Sequence, residues 1–219
     1  MEIFMSHPQS PINHLQAFAK RSLLFRCEPA GRKNAPERFV ASIVHFLRSP
    51  PRPLEVSQLK AHLAESAASL QTFYVKHNGF VLYHDTLSSA AGIEALPVAA
   101  WSKETERLRT QIRERHGDDE NPKGLLSCIV FATAPRSGNY FVIQTVGPDA
   151  GKIFYTDHET CSARTFATDF DDFVRRITAD PIPLLAKELG CFARYADGST
   201  LTQWIPEAVI ESEQTVGTA

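Results

Sequence analysis

The sequence predicts an α+β domain in which an antiparallel or mixed central sheet is flanked by helices, with a helical extension at its N-terminus. Three observations lead there. Apolar residues recur every three or four positions from Leu59 to Tyr74 and stop at Asn78-Gly79. Three β-prone runs between 126 and 155 are separated by loops rich in Gly and Pro. An acid-led amphipathic segment follows Thr168. With 219 residues, 43% of them hydrophobic and 22% charged, the chain has the apolar surface for a real core and the length of one ordinary domain with an extension.

Taken in order, Phe39, Val40, Ile43, Val44, Phe46 and Leu47 recur at helical spacing after Pro36, which predicts a helix beginning near that proline. Pro50, Pro51 and Pro53 would stop it and mark a boundary. Residues 1–52 therefore read as a basic helical N-terminal extension, 53–210 as the α+β domain and 211–219 as a flexible tail. The stripe Leu59, Leu63, Ala67, Leu70 and Tyr74 predicts one long helix, ended where Gly79 can take the left-handed conformation. Phe80–Tyr83 and Ile93–Val98 read as short strands. Trp101–His116 reads as a charged helix with Trp101, Leu108 and Ile112 inward. Leu126–Ala132, Tyr140–Val146 and Lys152–Tyr155 should form an antiparallel meander. The segment from Thr168 to Ile177 places acids in the first turn of a helix and Arg175 and Arg176 late, as the helix dipole favours. Phe192–Tyr195 and Thr200–Ile205 around Ala196-Asp197-Gly198-Ser199 read as a final hairpin.

Charge and cysteine usage narrow the function. The formal net charge is −2, giving no overall field for nucleic acid. Residues 1–52 carry eight Lys/Arg against three acids, whereas residues 53–219 carry 15 against 22. The basic part reads as a solvated face, with an arm for an acidic partner as the alternative. The four cysteines form no CxxC pair, no secretory leader opens the chain, and no apolar run is long enough to span a bilayer, so a cytoplasmic protein with reduced thiols is expected. Neither a Walker sequence nor a Gly-x-Gly-x-x-Gly run occurs, and no cofactor is expected. Ser137-Gly138-Asn139 reads as a hairpin turn, and Cys128 and Cys161 as small apolar packing residues. The one constellation that could be drawn as a metal or acid/base site is His84 and Asp85 with Asp157 and His158, the set a small metal-dependent hydrolase would use if two strands brought them together.

Several strings, in order, resemble the SUKH superfamily. They are Leu70-Gln71-Thr72-Phe73-Tyr74-Val75-Lys76-His77-Asn78-Gly79, Gly138-Asn139-Tyr140-Phe141-Val142-Ile143, Gly151-Lys152-Ile153-Phe154-Tyr155-Thr156-Asp157-His158-Glu159 and Ala167-Thr168-Asp169-Phe170-Asp171-Asp172-Phe173-Val174. The resemblance covers roughly residues 54–180. Phe80 stands where the family often has a second glycine, and Ala68-Ser69-Leu70 where it usually has leucine-proline. The resemblance implies an α+β fold and a non-enzymatic protein-binding role, typically that of a bacterial immunity protein that neutralises a toxin, or of an interaction hub. For such a role the aromatics Phe80, Tyr83, Tyr155 and Trp204 qualify as partner contacts by residue type. The acidic cluster Asp118, Asp119 and Glu120 and the group Asp157, His158 and Glu159 are expected to face a basic partner such as a nuclease toxin.

Overall fold

The structure, a computed structural model, describes residues 10–32, 34–63, 67–117, 122–189 and 202–210. The described helices are α1 (Pro11–Ala19), α2 (Pro53–His62), α3 (Ala68–Lys76), α4 (Val98–His116), α5 (Phe170–Ala179) and the short α6 (Pro181–Pro183), which runs into a single π-helical turn at Leu184–Glu188. The described strands are β1 (Leu23–Pro29), β2 (Phe39–Leu47), β3 (Phe80–Asp85), β4 (Ile93–Ala95), β5 (Cys128–Ala134), β6 (Asn139–Gln144), β7 (Ile153–Thr156), β8 (Ala163–Ala167) and β9 (Trp204–Ile210). They form one antiparallel sheet in the order β8-β7-β6-β5-β4-β3-β2-β1-β9. The α+β class with an antiparallel sheet is thus as expected, and the meander is β5 to β7 with β8 added.

The N-terminal fifth departs from the expectation. Residues 39–47 are not a helix but β2, hydrogen-bonded between β1 and β3, so residues 1–52 do not form a separate helical extension. The reason is visible in the residues: apolar side chains fill almost every position, so the run satisfies a period of two as well as 3.6, and its Val, Ile and Phe content favours the strand. Ala41, Ile43 and His45 point inward while Val40, Ser42 and Phe46 face out. The basic residues of this part are largely spoken for within the fold. Arg26 and Arg38 both meet Glu207 (3.4 and 2.8 Å), Arg48 pairs with Glu94, and Arg52 with Glu55.

The predicted long helix is two. Its stripe is right, for Leu59, Leu63, Ala67, Leu70 and Tyr74 are all buried, but the chain turns extended at Leu63. The Leu63 carbonyl this frees accepts from Gln71 Nε2 at 3.1 Å. At the far end, β9 pairs with β1 at the sheet edge, so residues 204–205 open an edge strand where a hairpin arm is predicted. The other arm, Phe192–Tyr195, lies outside the described residues, as do Asp118–Glu120 and the 211–219 tail.

Two apolar layers result. One face of the sheet packs on α1, α3, α5 and the α6 turn through a large cluster that includes Phe25, Phe73, Phe131, Phe141, Phe170 and Phe173. On the other face, α4 lays Leu108 and Ile112 over Val130, Val142 and Phe154. Helix α5 starts from a reciprocal cap: Asp169 accepts from the Asp172 N–H (2.8 Å), and Asp172 accepts from the Thr168 N–H (3.1 Å). No described helix is long and apolar enough to cross a membrane.

Candidate protein-binding surface

Side chains hold backbone at three places, and strings that carry the family resemblance meet at the first two. At the first, Asn78 Oδ1 accepts from the Val98 N–H (2.9 Å), fixing the entry of α4, while its Nδ2 donates to Glu55 (3.1 Å). Glu55 also accepts from the Arg52 N–H (2.7 Å), chiefly through which its carboxyl is held below the usual range. Gly79 sits at φ +102°, and a Cβ there would collide with the Ala95 carbonyl oxygen, so the Asn-Gly pair is a close crossing of α3, β3 and β4 that only glycine fits. Tyr74, the motif's aromatic, donates its hydroxyl to the Leu96 carbonyl (2.8 Å) from full burial.

The second place joins the β5–β6 and β7–β8 turns. Asn139 Oδ1 accepts from both the backbone N–H (2.9 Å) and Nδ1–H (2.7 Å) of His158, and its Nδ2 donates to the Tyr155 hydroxyl (3.0 Å). That hydroxyl donates on to the Leu189 carbonyl (3.2 Å), and burial pushes it up to about 12, so it stays a protonated donor. Gly138, at φ +77°, lies under the His158 ring, where a Cβ would come within 3.1 Å of it. His158 is therefore committed to joining two hairpins. Asp157 caps the turn, accepting from the Glu159 and Thr160 N–H groups at 2.9 Å each; these bonds, with Thr160 first, hold its carboxyl below the usual range. The exposed side chains of His158 and Glu159 stand at the rim, beside a cleft of about 310 Å³ bordered by Tyr155, Arg164, Lys187 and Glu188.

The third place is a β-bulge in β3, where Leu82 and Tyr83 together oppose His45 of β2. Tyr83 takes φ +58°, and its N–H donates to His45 Nδ1 at 2.9 Å. The His45 ring is 94% buried between Phe18 and Tyr83, and burial, then Arg21, lowers its pKa to about 4. Sequence reading missed His45. The signal it left was a lone polar residue on the inward phase of an apolar strand.

Several expected site residues are placed otherwise than predicted. Phe80, Tyr83, Tyr155 and Trp204 are buried in the large cluster, which leaves none of them as an exposed aromatic contact. The constellation of His84, Asp85, Asp157 and His158 does not assemble. Three strands separate β3 from β7, about 19 Å at the usual strand spacing. Asp85 is instead fully buried, accepting from the Leu87 and Ser88 N–H groups, and His84 lies edge-on to Phe46. Among the described residues no three His, Cys, Asp or Glu side chains cluster as a metal site would need. Cys27 and Cys128 are buried thiols that desolvation pushes up to about 12, and Cys161 is raised likewise. Compared with models of protein families and with curated proteins, the chain matches none.

Proposed function

We propose that this chain is a non-enzymatic protein-binding domain of SUKH type, acting as an immunity protein that binds and neutralises a toxin in the cytoplasm. The observation that supports this reading best is the employment of the motif residues. Asn78, Gly79, Asn139, Asp157 and His158 hold turns and helix entries together, leaving Glu159 as an acidic group rigidly mounted on the exposed rim of the β7–β8 turn. A group so mounted can present charge to a partner without losing much conformational freedom on binding. The excess of acids over residues 53–219 would steer a basic partner such as a nuclease toward it. The test is co-purification with the product of the adjacent gene. One stoichiometric partner whose toxicity is relieved by this chain, with Glu159→Lys slowing association, fits the reading. Recovery of no partner across the neighbouring candidates would defeat it.

A further inference from the structure

Strand β8 carries Arg164 directly opposite Tyr155 of β7. Its guanidinium lies over the Tyr155 ring, 5.2 Å from the centroid, and 5.9 Å from that of Phe166, and its Nη2 donates to the Glu188 carbonyl at 2.6 Å. Stacking of this kind fixes a guanidinium while leaving other N–H groups free to donate. The carbonyl it holds belongs to the π-helical turn Leu184–Glu188, closed by the Leu189 N–H on the Leu184 carbonyl (2.9 Å). Such turns are frequent where a fold shapes a site. The cleft of about 310 Å³ lies between this turn and the strands, at the lower end of the range usual for small-ligand pockets.

Charge says what would fit it. The cleft is bordered by two cations, Arg164 and Lys187, and by two acids, Asp157 and Glu188. Among the described residues no ion pair joins either cation to a carboxylate, so these charges are not spent on one another. The bonds that Asp157 accepts, from the Glu159 and Thr160 N–H groups and the Thr160 hydroxyl, all fall on Oδ1, and Oδ2 is left open. Both signs reach the cleft wall. After burial and the Asn139 bond, the Arg164 charge lowers and the Asp157 charge raises the pKa of the Tyr155 hydroxyl. A simple anion or a simple cation entering here would meet as many like charges as opposite ones. A small ligand carrying both signs would find an open partner for each.

We infer that this cleft binds a free α-amino acid, its carboxylate on Arg164 and Lys187 and its ammonium on Asp157 Oδ2, with Glu188 at the rim. The planar match of guanidinium and carboxylate sets the carboxylate end, and the volume leaves room for a side chain. The site does not depend on the toxin-binding reading, since neither a protein partner nor Glu159 takes part in it.

Isothermal titration calorimetry of the full chain with each of the twenty common L-amino acids, to about 10 mM, reads this directly. At least one is expected to bind with a dissociation constant of about 1 mM or tighter. Its N-acetyl and α-amide derivatives, which remove the ammonium and the carboxylate charge in turn, should each bind at least about tenfold more weakly, as for the loss of a charge-assisted bond. Arg164→Met, which keeps an apolar stem over the rings, should weaken binding by the same factor, whereas Leu54→Ala, at an exposed position on α2, should leave it unchanged. Absence of binding across the twenty overturns the inference. So does equal affinity for the N-acetyl form, which would mark a plain anion site, or undiminished binding by folded Arg164→Met. The wild-type comparison of the free and blocked forms decides the matter even if a variant fails to fold.

Discussion

Lowering the pH should loosen this protein through one buried imidazole before the carboxylates contribute. His45 is neutral in the fold, where its Nδ1 accepts from the Tyr83 N–H and its Nε2 has no partner. Protonation would set a donor against a donor at 2.9 Å and place a charge between two aromatic rings. The groups facing it are Arg21, from the α1–β1 turn, which disfavours the cation, and the buried phenol of Tyr83, and among the described residues no carboxylate offsets the Arg21 charge at the ring. The pKa falls from 6.5 to about 4, burial being the main cause. A histidine with a lowered native pKa binds its proton first in the unfolded chain. Stability is therefore intact above pH 6.5, falls as the pH drops below it, and stops falling from this source below about 4. The full difference is about 3 kcal/mol, and about 2 kcal/mol is already lost at pH 5. For a chain of this size that is roughly 4–8 °C in melting temperature. The assay is urea unfolding at pH 7, 6 and 5 of the wild type and of His45→Gln, which keeps an acceptor but does not titrate. The wild type should lose about 2 kcal/mol relative to the variant over that range. A constant separation of the two curves would refute the reasoning.

Other expectations concern the places where motif residues hold backbone. Gly79→Ala should cost about 3 kcal/mol or more, because the crowded carbonyl of Ala95 and the positive φ act together; failure to recover soluble protein, or a large fall in urea midpoint, is the readout. Asn139→Ala removes the acceptor for two His158 donors and the donor to Tyr155, and should cost about 1–3 kcal/mol while exposing the β7–β8 turn amides to hydrogen exchange. In a Cys191→Ser background, Cys27, Cys128 and Cys161 should resist a thiol reagent at pH 8 until urea unfolds the chain, since burial keeps all three protonated; rapid labelling of the native protein would contradict this.

The α+β class, the meander, the charged helix with Trp101, Leu108 and Ile112 inward and the acid-capped α5 were all legible, because each carries a local signature in period, cap or turn residue. Residues 39–47 were not, since a run apolar at nearly every position satisfies both periods, and only pairing with β1 and β3 selects the strand. The break at Leu63 was hidden for a related reason: the buried stripe continues across it, and the capping Gln71 lies eight residues away. Strand β8 was missed because Ala163–Ala167 alternates weakly and sits at an edge, where one neighbour suffices. For the site, residue type pointed to aromatics as contacts, but Phe80, Tyr83, Tyr155 and Trp204 fill the core, a choice made by sheet register that no local pattern encodes. The meeting of Asn139 with His158 was present only as two strings of the resemblance, 19 positions apart.

The proposed function has this domain work by surface and charge rather than by making bonds. Titrating the purified chain with the neighbouring gene product, while following that product's toxic activity, tests it most directly. Stoichiometric inhibition that tracks complex formation and weakens with Glu159→Lys is expected. Relief of toxicity at catalytic, substoichiometric amounts, with the partner or its substrate chemically altered, would contradict it.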